Sequence, residues 1–304
     1  MKIHCHNDAD GVTSALFTWF AYPESDILMK SEFGDTSDWE KGDIMVDMRP
    51  DDPNIEGLVI DHHPGHPLPE DRKYELVWNV YPASYIAFKK YKEHIPKSQY
   101  WKLAIGLGGD NQLELLDAEI FETEPQLLYK VKTYAYQSYG SWQLAYYPLY
   151  KLLSSLVNSM IRIGEYEDAI NLVRFAERPL DIYHSQTAQD ARSKVRDEVK
   201  RVMSSCDIIN LRDVHVVIFE SEYKLTGYIA SLIESSKDTY GSTIIAINRL
   251  DGSLSVRGDL ALYIKSKVDN LPYIDIDGHP GFMGGHIKQN PYKFIDDLAK
   301  LLQI

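Results

Sequence analysis

Residues 4–11 read His4-Cys5-His6-Asn7-Asp8-Ala9-Asp10-Gly11, two carboxylates two residues apart behind a pair of imidazoles. Such a set suits a divalent cation, and mixed imidazole and carboxylate ligands favour manganese, zinc or iron over an all-oxygen magnesium cage. A plainer reading is a strand followed by an aspartate helix cap, with Gly11 permitting the tight turn. Three further segments carry the same residue types. Asp47 closes the apolar run Ile44-Met45-Val46. Ile60-Asp61-His62-His63-Pro64-Gly65-His66 places adjacent histidines after another apolar run, where neighbouring side chains point to opposite sides. Gly106-Leu107-Gly108-Gly109-Asp110-Asn111 sets an aspartate in a glycine-rich turn, where backbone and carboxylate can approach a ligand closely. Each segment alone reads equally well as loop. Together they place four aspartates and a histidine cluster at strand ends, and ligands of open parallel sheets gather outside the carboxyl ends of the strands.

The elements that must position these residues follow from the apolar pattern. Strands are expected at 2–6, 26–30, 43–47 and 57–61, alternating with helices at 13–22, 82–92 and 99–106. This alternation predicts a parallel sheet covered by helices on both faces. Residues 113–205 read as mostly helical, with 144–163 as a buried amphipathic helix and 181–205 as a charged connector. Beyond it, strands at 214–219 and 242–248, an Asp251-Gly252 turn into a strand at 253–257, and helices at 226–235, 263–268 and 291–302 predict a smaller α/β domain with a mixed sheet. The division is a domain over 1–190, a linker over 191–210 and a second domain over 211–304.

Composition narrows the function classes. The 304 residues are 44% apolar and 25% charged, ordinary for a globular chain. The formal charge is −13, which argues against a broad non-specific nucleic-acid binder. The excess is concentrated: residues 1–180 hold 28 acids and 17 bases, and residues 181–304 hold 17 acids and 15 bases. Two cysteines, Cys5 and Cys206, are too few for a disulfide framework. With no signal-like apolar core at 1–8 and no run near the ~20 apolar residues of a membrane span, the expected setting is the cytoplasm.

In these motifs the sequence resembles the DHH phosphoesterase superfamily. Asp61-His62-His63 matches the name-giving motif; His4, Asp8 and Asp10 match its His-x-x-x-Asp-x-Asp motif; Asp47 and Asp110 match its later aspartates, in the family's order. The Asp-x-Asp-Gly form is similar to the RecJ-like branch. The C-terminal part resembles the associated DHHA1 domain. Its Gly-Gly-Gly-His signature reads Met283-Gly284-Gly285-His286 here, and Ser255-Val256-Arg257 resembles its arginine segment.

The resemblance implies two divalent ions, manganese foremost, with magnesium or cobalt as alternatives. One would be held by His4, Asp8 and Asp47, the other by Asp10, Asp47, His62 and Asp110. His6 is the alternative to His4. Asp61 would orient a ligand imidazole, and His63 would contact the phosphate or protonate the leaving group. Arg257, Gly284, Gly285 and His286 would bind the substrate from the second domain. His66 and His279 read as loop residues, and Cys5 as a small core residue. Four ligand aspartates against two dications leave a near-neutral site, so an anionic phosphate can approach an acidic protein.

Three functions are then in play. The first is a manganese-dependent phosphohydrolase of small phosphorylated substrates or short oligonucleotides, such as a nucleoside bisphosphate, a cyclic dinucleotide or polyphosphate. The second is a RecJ-like single-strand 5′ exonuclease, for which Tyr129, Tyr134, Tyr136, Tyr139, Trp142, Tyr146 and Tyr147 would stack bases. The third is a non-catalytic scaffold. Aromatic surface on the middle segment would also suit a homodimer.

Overall fold

In the computed structural model the chain is described throughout except at residues 31, 64–71, 138–140, 237–240, 280 and 303–304, and the side chains of Asp277 and His279. His66 and the His279 side chain therefore lie outside the described residues. Two units form, one of residues Met1–Thr133 with Tyr146–Ser193, the other of Tyr134–Ala145 with Lys194–Ile304. Among the described residues no helix is long and apolar enough to cross a membrane.

The first unit is built on five parallel strands, β1 (Lys2–Cys5), β2 (Asp26–Met29), β3 (Ile44–Val46), β4 (Leu58–Asp61) and β5 (Glu75–Trp78), ordered β2-β1-β3-β4-β5. The chain leaves β1 toward one side and returns on the other at β3. This reversal opens a crevice at the carboxyl ends of β1 and β3, the usual ligand position of such sheets. Alternation divides the strand residues between two cores. Ile3, Cys5, Ile44, Val46 and Ile60 face the helical layer, and Cys5 is buried there as a small apolar residue. That layer is made by α1 (Ala9–Ala21), α2 (Ala83–Tyr91), α3 (Leu103–Gly109) and, further along the chain, α4 (Ala118–Thr123), α5 (Leu153–Arg162), α6 (Tyr166–Phe175) and α7 (Pro179–His184). α1 is buried along Ala9–Thr18, as a helix at the centre of such a layer must be, and its Thr13, Ser14 and Thr18 hydroxyls donate to carbonyls four residues back. Met45 and Val59 face the other way, onto Met48, Ile55 and Tyr74. All three belong to strand connections, so on that face the described core is closed by loops where the sequence pattern predicts helices.

The expected helical middle is also corrected. β6 (Lys130–Tyr136) and β7 (Trp142–Pro148) form a two-stranded hairpin within it. β6 alternates exposed and buried positions from Lys130 to Tyr134, and its β-branched and aromatic residues fit a pleated surface. The predicted helix over 144–163 shrinks to α5, because the residues before it are drawn into β7.

α8 (Gln186–Ser205) follows, and the second unit continues with β8 (Asp207–Leu211), β9 (Val214–Phe219), α9 (Thr226–Glu234), β10 (Thr243–Asn248), β11 (Ser253–Arg257), α10 (Ala261–Val268), β12 (Ile274–His279), β13 (Phe282–Ile287) and α11 (Pro291–Leu301). The six strands are ordered β12-β13-β11-β10-β9-β8, with β9 and β10 parallel and the remaining pairs antiparallel. Val216, Ile245, Leu254, Val256 and Met283 form one face, packed on Ala261 and Ile264 of α10 and on Phe294 and Leu298 of α11. α9 covers part of the other face, where its Thr226 hydroxyl meets that of Ser253 at 2.6 Å.

Candidate metal centre

The loop from β1 to α1 is shaped by its own residues. Asp8 caps α1, its Oδ1 accepting from Gly11 N at 2.8 Å. A side chain at position 11 would put Cβ 2.3 Å from the His6 carbonyl oxygen, so only glycine lets this turn close. Ala9 N donates to Asn158 Oδ1 of α5 at 2.8 Å, a tie across 149 residues. Asp10 is fully buried; its Oδ2 accepts from Ala83 N at 2.7 Å and its Oδ1 from Ser84 N at 3.1 Å. It thereby caps α2, and each carboxylate oxygen retains a second lone pair.

Asp47 follows β3 with φ at +60°, the left-handed region that few non-glycine residues adopt. Its N–H donates to Ile60 O at 2.8 Å, holding it against the start of the Asp61-His62-His63 segment. His62 Nε2 lies 3.1 Å from Asp47 Oδ1, 3.2 Å from Asp110 Oδ2 and 3.9 Å from Asp10 Oδ2. Asp110 ends α3, brought close by glycines: Cβ atoms at 106 and 109 would meet the Ser84 hydroxyl at 2.2 Å and Asp10 N at 3.2 Å. Of the six expected ligands, Asp8, Asp10, Asp47, His62 and Asp110 thus converge.

His4 does not join them. β1 ends at Cys5, and strand alternation turns His4 onto the loop-covered face of the sheet. There its Nε2 lies 3.0 Å from Asp43 Oδ2 and its ring stacks on Trp39 with centroids 5.1 Å apart. His6, just past the strand, takes the place expected for His4: its Nδ1 is 2.9 Å from Asp8 Oδ2 and 3.4 Å from Asp47 Oδ2. The spacing to the aspartates pointed to His4, but the end of the strand decides which imidazole faces them.

Asp61 is the other departure. It is buried and holds His63, not the ligand-side His62: its Oδ1 lies 2.8 Å from His63 Nδ1 and accepts from His63 N at 3.2 Å. Arg49 Nε stands 3.4 Å from Asp61 Oδ2, and both Arg49 and Trp78 donate to the His63 carbonyl. Neither Arg49 nor Asn158 was singled out from sequence. The only signals were an arginine two residues past Asp47 and a polar residue interrupting an apolar stretch.

Among the described residues, three groups of side chains, His6–Asp8–Asp47, Asp10–His62–Asp110 and Asp47–His62–His63, have ligand atoms close enough to hold an ion. The donor chemistry fits divalent cations. Both carboxylate oxygens of Asp47 and the Nδ1 of His6 are buried without a hydrogen bond of good geometry. The protein atoms alone are strained electrostatically. Burial, with Asp47 and Asp110 nearby, pushes the Asp10 carboxyl well above the usual range. Burial, with Asp47 and Asp8, carries Asp110 up to about 7. Burial also opposes ionised Asp47, but His6 and His62 outweigh it and hold that carboxyl well below the usual range. Burial works to lower His62, yet Asp47 and its neighbours raise it to about 10. Carboxyls that resist ionising together and imidazoles that retain protons mark an excess of negative charge that cations would neutralise.

In the second unit Arg257 ends β11, and its Nη1 donates to the Val256 and Met283 carbonyls at 3.0 Å each. Burial lowers its guanidinium to about 10. β13 pairs with β11 so that Arg257 lies opposite Phe282 and Ser253 opposite His286. Phe282, Gly284 and His286 are exposed on one face, while Met283 points into the core at 1% exposure. The methionine that interrupts the glycine triplet is therefore a core residue. At Gly285 a Cβ would lie 1.9 Å from the Asp275 carbonyl oxygen, so glycine is required for strand pairing itself.

No family model and no curated protein matches the sequence. The fold does have solved counterparts. RecJ from Thermus thermophilus, in complex with Mn²⁺, is 15% identical and superposes over 100% of this chain and 52% of its own, with a TM-score of 0.68. An exopolyphosphatase-related protein from Bacteroides fragilis is 13% identical, over 99% of this chain and 91% of its own, with a TM-score of 0.52. A pGpG-specific phosphodiesterase from Vibrio cholerae is 13% identical, over 99% and 98%, with a TM-score of 0.53. The chain thus spans about half the length of that RecJ. At these identities the likeness shows a shared fold alone.

Proposed function

We propose that the chain is a phosphohydrolase that uses two divalent cations, manganese foremost, to cleave phosphodiester or phosphoanhydride bonds of small or short substrates. The observation that carries this reading is the convergence of His6, Asp8, Asp10, His62 and Asp110 around the buried carboxylate of Asp47. His6, Asp8 and Asp47 would hold one cation and Asp10, Asp47, His62 and Asp110 the other. Bound there, the cations would supply a water nucleophile at neutral pH and neutralise charge on the phosphoryl oxygens.

The remaining work falls to the chain's own residues. Burial raises the cost of ionising Asp61, but the hydrogen bond and charge of His63 outweigh it and keep the carboxyl below the usual range. An ionised Asp61 fixes a proton on His63 Nδ1, so Nε2 is the nitrogen through which the ring would serve a phosphate oxygen or leaving group. Arg49, beside both Asp61 and the His63 carbonyl, braces this pair. In the second unit, Arg257 and His286 have the chemistry to bind a phosphate.

The test is a manganese-loaded panel of polyphosphate, pyrophosphate, a 3′,5′-bisphosphonucleoside, a cyclic dinucleotide and single-stranded oligonucleotides of graded length. Turnover of at least one small substrate or of oligonucleotides a few units long is expected, abolished by chelator. No hydrolysis of any member would restore the non-catalytic reading, and degradation continuing along long strands would favour the exonuclease.

A further inference from the structure

Three side chains that the metal centre does not use, Asn210, His215 and Ser242, meet wholly within the second unit. β8 and β9 are antiparallel with Asn210 opposite His215, so both side chains leave the same face of the sheet. Val214 and Val216 point the other way, into the core. Ser242 stands just ahead of β10, the parallel neighbour of β9 on its other side. His215 Nδ1 lies 2.6 Å from Asn210 Oδ1, and His215 Nε2 lies 3.1 Å from Ser242 Oγ.

The partners decide where the protons sit. An amide oxygen only accepts, so in the neutral ring Nδ1 carries the hydrogen and Nε2 offers its lone pair. The Ser242 hydroxyl therefore donates to Nε2. A hydroxyl held by an imidazole whose other nitrogen is fixed by a third group is the arrangement that makes serine a nucleophile. The surroundings admit a substrate. Asn210 is exposed, and His215 and Ser242 are half-buried. A Cβ at Gly241 would meet nothing within 4 Å, so the approach to Ser242 is open on that side. Ile208, two residues before Asn210 on the same face, is 46% exposed and lies opposite the buried Val217. It gives apolar ground for a short carbon chain. The uncharged set of side chains beside it suits a neutral carboxylic ester better than an anionic phosphate.

We propose that Ser242 and His215, with Asn210 as the positioning residue, form a second, metal-independent site that hydrolyses carboxylic esters of small acyl groups. Ser242 Oγ bonds to the ester carbonyl carbon as its proton passes to His215 Nε2. The ester C–O bond then breaks, and the alcohol leaves with that proton. Water attacks the acyl carbon and gives a proton to Nε2. The Oγ–C bond breaks, Oγ takes the proton back, and the carboxylic acid is released. Asn210 acts through the ring, keeping the hydrogen on Nδ1. Nothing in this site draws on the hydrolase reading of the metal centre.

The test treats the full chain, in EDTA, with a fluorophosphonate probe that labels activated serines and with p-nitrophenyl acetate. Peptide mass spectrometry is expected to find the probe on Ser242, and the ester is expected to be cleaved. Ser242→Ala should abolish both. His215→Gln should slow labelling by about 10²–10⁴-fold, the scale of general-base catalysis. Asn210→Ala should slow labelling, and Asn210→Asp, which also accepts from Nδ1, should restore it. Circular dichroism establishes that each variant is folded. A wild type that takes up no probe would overturn the proposal, as would probe carried by another residue or labelling without cleavage of the ester. So would a folded His215→Gln variant labelled at the wild-type rate, since the three side chains would then only tie β8 to β10.

Discussion

At the scale of single residues, chemistry depends on which atoms a side chain is left to offer. Asp61 illustrates this. It is fully buried, its hydrogen bonds run to His63, and Arg49 Nε stands 3.4 Å from its other oxygen. Asp61→Asn keeps the shape but removes the charge that holds a proton on His63 Nδ1. The expected result is a loss of about 10–100-fold in phosphodiester hydrolysis, the scale seen when partners of site residues are removed, with manganese affinity changing much less. A variant of unchanged rate would remove His63 from the proposed role. Much of the cluster was legible from residue type alone, because Asp8, Asp10, Asp47, His62 and Asp110 all follow apolar runs or turns. The exchange of His4 for His6 was not legible. It turns on whether the strand ends at residue 5 or 6, and on Trp39 and Asp43, whose nearness to His4 no local pattern announces.

At the scale of elements, the site depends on helices approaching more closely than side chains ordinarily allow. α3 reaches α2 and α1 because positions 106 and 109 carry no Cβ. An alanine at 106 would have to share space with Ser84 and would stand 3.0 Å from Asp10 Oδ1. Gly106→Ala should therefore destabilise the protein by about 1–3 kcal/mol, the cost of overpacking a filled core, and weaken metal binding by displacing Asp10. Chemical denaturation and metal titration would read the two effects. Adding Ser84→Gly should recover part of both, and a double variant no better than the single would place the strain elsewhere. The parallel sheet was legible because apolar runs and helical periods alternate over residues 1–110. The hairpin at 130–148 was not. Its aromatic residues satisfy a helical period as readily as a strand period, and only pairing between its two halves separates them. β12 and β13 were hidden for another reason: glycines and aspartates are poor strand formers alone, and Gly284 and Gly285 become strand residues only against β11 and β12.

At the scale of the whole molecule, the acidic balance and the phosphate chemistry are reconciled by where the charge lies. Asp10, Asp47 and Asp110 lie close together, which raises the cost of ionising Asp10 and Asp110, and cations bound there would offset it. The acid-free segment over 125–164 carries charge of the opposite sign. The long-range ties that build the centre, from Ala9 to Asn158 and from Asp10 to α2, join segments far apart in the chain. The site therefore exists only in the folded first unit, and cations that bind it must stabilise that unit by mass action. The central claim is that six converging side chains hold two cations. The most direct measurement is metal content by mass spectrometry after manganese loading and desalting, for the wild type, His4→Ala, His6→Ala and Asp47→Asn. The account predicts close to two manganese ions per chain in the wild type and in folded His4→Ala, about one in His6→Ala, and fewer than one in Asp47→Asn. A wild type that retains none, or an Asp47→Asn variant that retains two, would contradict it.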